Sequence, residues 1–247
     1  MGRVRCEMGR PESFHLKYLT IGNEEVGTGY LERYEMILQA IREKYPEIQV
    51  INYAIMGIWE GKQEDGWEHA LRTKSDCWDE HMYQFPEWFL VNTDRYERFS
   101  DGPRAFLGEY SARDDTWENA LAEAAFLTGF EKSPYTGFAC YAPLLNHVSY
   151  SNWKPDLIHF DNHRCFGTPS YYVQKLFMSN QGIRLLACEV NGVEDGTSDG
   201  STAGKSGRCR SLRLKKRTEK CFAEGSIRRN MKSVFHFVRK SVAGRRQ

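Results

Sequence analysis

Two glutamates stand where a strand-like run meets a loop. Glu24 closes Ile21-Gly22-Asn23-Glu24, after a run with strand character from Leu16 to Ile21. Glu109 lies in Leu107-Gly108-Glu109-Tyr110, after Arg104 to Leu107. A glycine precedes each glutamate by one or two residues. A carboxylate at the C-terminal end of a parallel strand is where (β/α) barrels place catalytic groups. Two such carboxylates on separate strands are what glycoside hydrolysis needs, one as acid/base and one as nucleophile or second base. The motifs are short, and a solvated loop glutamate fits either one taken alone.

The elements between and around them alternate between strand and helix, the pattern of a parallel sheet. Residues 1–15 read as a polar loop. Tyr30, Tyr34, Ile37, Leu38 and Ile41 are spaced for one face of a helix that Pro46 stops. Ile48–Tyr53 reads as the second strand. A glycine-containing loop leads to a helix around Asp65–Leu71, and Cys77–Tyr83 is a third strand. Pro86 opens a short helix at its first turn. Arg104–Tyr110 is the fourth strand. Asp115 and Glu118 resemble a capping box before a helix that packs through Ala120, Leu121, Ala124, Ala125 and Leu127. Gly137–Pro143 is a fifth strand. Asn146, His147, Tyr150, Asn152 and Trp153 fall on a loop whose aromatics and amides could line a sugar site or cap a barrel. Asp156–Phe160 is a short strand, and Thr168 N-caps a helix over Ser170–Met178 with Pro169 at its start.

Asp79, Glu80 and His81 crowd the third strand with polar groups. On a buried strand they need partners; on an edge strand they would face water. A metal site built on Glu80 and His81 lacks a second His/carboxylate pair at ligand spacing.

Composition narrows the classes. The 247 residues are 40% hydrophobic and 13% aromatic, enough for a core of one large or two small domains. Formal net charge is +1, but residues 201–247 hold fifteen Lys/Arg against two Asp/Glu. The rest is correspondingly acidic, so the chain has two compositionally different segments. Residues 191–208 look like linker, and residues 209–247 like an unstructured basic tail without the aromatic interleaving of a nucleic-acid site. The seven cysteines are odd in number and form no Cys-x-x-Cys pair, which argues against a disulfide framework and a structural zinc site. No run approaches a membrane span, and no signal peptide is visible, which leaves localisation open.

The run from about Glu7 to Gly182 resembles glycoside hydrolase family 51, the α-L-arabinofuranosidases. Colinear motifs carry the resemblance: Met8-Gly9 with Pro11-Glu12, Lys17-Tyr18-Leu19, Gly22-Asn23-Glu24, Leu31-Glu32-Arg33-Tyr34 and Lys44-Tyr45-Pro46. They continue with Asp79-Glu80-His81-Met82-Tyr83, Gly108-Glu109-Tyr110, Glu123-Ala124-Ala125-Phe126, Tyr141-Ala142-Pro143-Leu144, Pro155-Asp156-Leu157-Ile158 and Thr168 through Gln174.

The resemblance implies an α/β fold, a partial (β/α)8 TIM barrel comprising strands 4 to 8 and their helices. It implies a barrel portion at 1–182 and a non-homologous linker and basic tail at 183–247. Glu24 is similar to the family's acid/base and Glu109 to its nucleophile. Asn23 would bind the sugar 2-hydroxyl, Tyr83 would hydrogen-bond the nucleophile, and His81 would lie in the same pocket. The implied activity is retaining release of terminal α-L-arabinofuranosyl groups from polysaccharides or oligosaccharides, without cofactor or metal. No nucleic-acid or membrane partner is implied, and a homo-oligomer of the family's type is compatible. The family's first three strands lie upstream of anything here, so the expectation includes an internal piece with weak or no activity. A non-catalytic remnant, or another retaining barrel glycosidase of endoglucanase or β-galactosidase type, also fits the two glutamates.

Overall fold

The computed structural model describes residues 2–12, 14–25, 27–52, 62–99, 101–182, 185–189, 210–215 and 219–222. Helix α1 (Gly2–Glu7) comes first, where the sequence suggested only loop. Its six residues bury no side chain. Strand β1 (Tyr18–Ile21) leads through Glu24 to α2 (Thr28–Lys44), β2 (Gln49–Asn52), α3 (Lys62–Arg72) and β3 (Cys77–Gln84). Then come α4 (Pro86–Val91), a 3-10 turn at Arg95–Arg98, β4 (Arg104–Ala112), α5 (Trp117–Lys132) and β5 (Thr136–Tyr141). These five strands form one parallel sheet in the order β1-β2-β3-β4-β5. Sequence order equals spatial order, as in successive β-α units of a barrel. The glycine-containing loop that the sequence places after β2 lies outside the described residues.

The described residues fall into two compact units, which divide β3 at Met82/Tyr83 and β4 at Gly108/Glu109. In the first, Ile21, Tyr30, Tyr34, Leu38 and Val50 form a buried cluster, with Leu31 and Ile41 packed on it. The i, i+4, i+8 spacing of Tyr30, Tyr34 and Leu38 puts them on one helical face. Ile37, expected on that face, is 46% exposed. It lies one position before Leu38, about 100° around a 3.6-residue turn. Two phenols fix α2 to its neighbours. Tyr30 donates to the Ile21 carbonyl at 2.7 Å, and the Tyr34 hydroxyl shares a 2.7 Å hydrogen bond with Ser75.

In the second unit α5 is the central helix, with ten buried residues. Phe126 meets Phe89 edge-on at 5.2 Å, and Phe130 meets Tyr96 the same way at 5.2 Å. The α5 cap differs from the expected Asp115/Glu118 box. Thr116 is the N-cap, accepting from the Asn119 amide at 3.3 Å while its hydroxyl donates to the Asn119 side chain. Asp115 is used elsewhere, accepting from the Asp156 amide at 3.1 Å.

The stretch expected as an aromatic loop after β5 begins with β6 (Leu145–His147), which forms a small sheet with β7 (Ile158–Phe160), expected as a short strand, and β8 (Cys165–Gly167), in the order β6-β7-β8. Asn146 and His159 bond at 3.0 Å within it. Helix α6 (Pro169–Ser179) follows with the expected cap: the Thr168 hydroxyl accepts from the Tyr171 amide at 3.3 Å. Beyond it, β9 (Leu185–Glu189), β10 (Arg210–Lys215) and β11 (Glu219–Phe222) pair antiparallel in the order β11-β10-β9. The expected linker over 191–208 lies outside the described residues, as does most of the basic tail.

Candidate active site

Strand β3 is the third of five strands, so the edge-strand alternative for Asp79, Glu80 and His81 does not hold. All three are buried, at 3%, 0% and 1% exposure. Alternation along a strand turns Asp79, His81 and Tyr83 to one face and Glu80 to the other. Glu80 and His81 therefore do not converge on one ion.

In the first unit, His81 lies between two carboxyl groups. Its Nδ1 is 3.0 Å from Glu24 Oε1, and its Nε2 is 3.3 Å from Asp79 Oδ2. Asp79 is held from its other oxygen, where Oδ1 accepts the Gly108 amide at 3.0 Å. Gly108 makes this approach possible, because a Cβ there would sit 2.2 Å from Asp79 Oδ1. Glu24 comes off β1 through a tight bend. Gly22 has φ +87, and a Cβ on it would lie 2.8 Å from the Tyr30 ring. Glu24 itself adopts a left-handed φ of +53, a conformation costing a non-glycine residue about 1–2 kcal/mol. Its side chain is 32% exposed, partly open to solvent while bonded to a buried imidazole. Asn23, beside it in the bend, is exposed.

In the second unit, the Tyr83 hydroxyl donates to Glu109 Oε2 at 2.5 Å, a length typical of an O–H···O⁻ bond. Glu109 is not at the end of its strand as expected, because β4 continues three residues further to Ala112. Two contacts that the sequence does not signal hold Tyr83. Arg113 donates from Nε to the Tyr83 carbonyl at 2.9 Å, and Trp153 meets the Tyr83 ring edge-on at 5.6 Å. Of the loop residues proposed as sugar-lining, Trp153 thus reaches a predicted site residue, and it is half exposed.

Behind this part of β4 lies a buried carboxyl group. Glu123 of α5 accepts the Ala112 amide at 2.8 Å and has no exposure. Burial pushes its pKa up from 4.5 to about 8, so it is largely protonated at neutral pH.

The structure thus joins Glu24 to His81 and Glu109 to Tyr83. Asp79 and Arg113 are the partners that sequence reasoning missed. Asp79 was in view as a polar residue on a buried strand, but its partner Gly108 is 29 residues away and invisible to any local pattern.

Two family models divide the chain. Residues 1–101 match the α-L-arabinofuranosidase 1 domain, and residues 95–237 match the α-L-arabinofuranosidase C-terminal domain. The chain belongs to the α-L-arabinofuranosidases of glycoside hydrolase family 51. The second match runs on through the segment set apart as tail in the sequence. An extracellular exo-α-L-arabinofuranosidase of Streptomyces chartreusis is 38% identical over 197 residues, which is 78% of this chain and 24% of that protein. α-L-Arabinofuranosidase 1 of Arabidopsis thaliana is 38% identical over 199 residues, 77% of this chain and 28% of the relative. This family 51 chain therefore spans about a quarter of the length of these relatives. Among solved structures, an arabinose-bound family 51 α-L-arabinofuranosidase superposes with a TM-score of 0.65 at 31% identity, over 74% of this chain and 31% of that one. The family 51 enzyme from Bifidobacterium longum superposes at 0.58 with 12% identity, which speaks for the fold alone.

Proposed function

We infer that this chain carries the catalytic pair of a retaining α-L-arabinofuranosidase, acting on terminal non-reducing arabinofuranosyl groups of polysaccharides or oligosaccharides. One observation supports the reading above others. Both glutamates are bonded to side chains on one face of β3, Glu24 to His81 and Glu109 to Tyr83. A retaining enzyme uses two carboxyl groups about 5–5.5 Å apart, one as acid/base and one as nucleophile.

The chemistry then runs in two steps. Glu109 attacks the anomeric carbon with a carboxylate oxygen as the glycosidic C–O bond breaks, and Glu24 gives its proton to the departing oxygen. The product is a glycosyl ester on Glu109. In the second step Glu24 takes a proton from water, the water oxygen bonds to the anomeric carbon, and Glu109 leaves as carboxylate. Tyr83 orients the nucleophile and donates to it while it is charged. In this scheme Asn23, exposed next to Glu24, binds the sugar 2-hydroxyl. The catalytic portion is residues 1–182, and neither metal nor organic cofactor takes part in these steps.

Azide rescue tests the assignment. Glu109→Ala should abolish hydrolysis of 4-nitrophenyl α-L-arabinofuranoside, and added azide should restore nitrophenol release with an inverted arabinofuranosyl azide as product. Unchanged hydrolysis in Glu109→Ala would remove the nucleophile reading. Preference for a hexopyranoside across a panel of nitrophenyl glycosides would remove the arabinose reading.

A further inference from the structure

Arg113 is the first residue beyond β4, and it grips three consecutive residues at the end of β3. Its Nε donates to the Tyr83 carbonyl at 2.9 Å. Its main-chain amide donates to the Gln84 carbonyl at 2.8 Å. Its guanidinium lies 5.3 Å from the centre of the Phe85 ring. All of these groups belong to the second unit, as does Glu109. The main-chain bond would survive almost any substitution. The side-chain contacts need arginine, whose planar guanidinium can cover an aromatic face and donate from Nε at once.

Folding alone gives little reason for this grip. Strand β3 already has a paired strand on either side, and Arg113 and Phe85 are both exposed. An exposed cation–π contact contributes only about 0.5–1 kcal/mol. What the grip restrains is the main chain of the residue whose hydroxyl donates to Glu109 Oε2.

The geometry points to Arg113 as a positioning residue, which fixes the Tyr83 main chain so that the phenol hydroxyl stays on Glu109 during both chemical steps. The inference rests on the reading of Glu109 as the nucleophile, and it adds a residue outside the catalytic pair. The hydroxyl stands at the far end of its ring, so a small turn of the main chain becomes a larger displacement there. A misplacement of about 1 Å can cost about 100-fold in rate. Arg113 acts through Tyr83 and not on the sugar, so its loss falls on kcat and spares KM.

A double-mutant cycle on the full chain, with the nitrophenyl arabinofuranoside as substrate, tests this. Tyr83→Phe keeps the main-chain carbonyl that Arg113 binds and removes the hydroxyl that the bond serves. Arg113→Ala alone should lower kcat at least about fivefold, with KM within about twofold of the wild type. In the Tyr83→Phe background the same substitution should change kcat by less than about twofold. An equal loss in both backgrounds would overturn the inference, because Arg113 would then act on the substrate, on the charge of Glu109 or on the fold as a whole. A rise in KM alone, or no effect of Arg113→Ala, would also overturn it. So would an unaltered Tyr83→Phe, and azide rescue of Glu109→Ala separates that result from a failure of the nucleophile reading.

A crystal structure of Arg113→Ala gives a second reading that needs no turnover. The Tyr83 hydroxyl should lie beyond hydrogen-bond distance of Glu109, or occupy more than one position, while β3 and β4 superpose on the wild type. A phenol unmoved from Glu109 would overturn the inference whatever the kinetics.

Discussion

The Tyr83 hydroxyl meets Glu109 Oε2 at 2.5 Å, and the Tyr83 main chain is itself tied down by the Arg113 side chain at 2.9 Å. The glutamate proposed as nucleophile is thus bonded to a tyrosine that is itself held at its main chain. Hydrogen bonds to charged groups contribute about 1.5–3 kcal/mol. Tyr83→Phe should therefore lower kcat/KM on the nitrophenyl glycoside by roughly 10- to 150-fold, with an unchanged circular dichroism spectrum. A loss under threefold would show that the contact does not serve catalysis.

Gly108 should tolerate no side chain. Gly108→Ala places a Cβ 2.2 Å from Asp79 Oδ1, so the buried carboxyl group must move. Such overpacking costs about 1–3 kcal/mol, and it should also disturb the His81 ring that Asp79 holds. A lower melting temperature together with lost activity is expected, and a variant with wild-type values for both would contradict the close approach.

Glu123 gives stability a pH dependence opposite to that of a salt-bridged carboxylate. Between pH 4.5 and about 8 the folded state keeps a proton that the unfolded chain has lost. The folded state then binds more protons, so stability falls as pH rises through this window, by about 1.4 kcal/mol per fully affected pH unit. Glu131 on the same helix, raised by burial to about 7, adds to the same trend. Glu123→Gln keeps an oxygen for the Ala112 amide and removes the titration. Its melting temperature should exceed that of the wild type at pH 8 by more than at pH 5. An equal difference at both pH values would place the proton elsewhere.

Thr116, not Asp115, caps α5. Thr116→Ala should cost about 1 kcal/mol of stability and leave the kinetics unchanged, because the cap lies on the helix and not among the groups proposed to contact the sugar. An equal loss in a Glu118→Ala variant would restore the capping box that the sequence suggests.

How much of this is legible in the sequence follows from the range of each interaction. The glycines ahead of both glutamates are visible, and both prove structural: Gly22 accommodates Tyr30, and Gly108 accommodates Asp79. Helical periodicity finds Tyr30, Tyr34 and Leu38 but adds Ile37, because a stripe read by eye is wider than the face that packs. The Thr168 cap is local and is read correctly, whereas at α5 two overlapping cap signals one residue apart compete. The His81–Asp79 and Tyr83–Arg113 contacts are different in kind. Asp79 looks like a solvent-facing residue until the sheet order places β3 in the middle, and only the fold brings Gly108 to it.

The most direct measurement is trapping of the glycosyl-enzyme. An activated 2-fluoro α-L-arabinofuranoside forms the ester but releases it slowly, so digestion and mass spectrometry identify the modified residue. Modification of Glu109 at one sugar per chain, absent in Glu109→Gln, is the result expected of a retaining arabinofuranosidase with the pair described. A sugar found on Glu24 or on any other residue, with Glu109 unmodified, would contradict it.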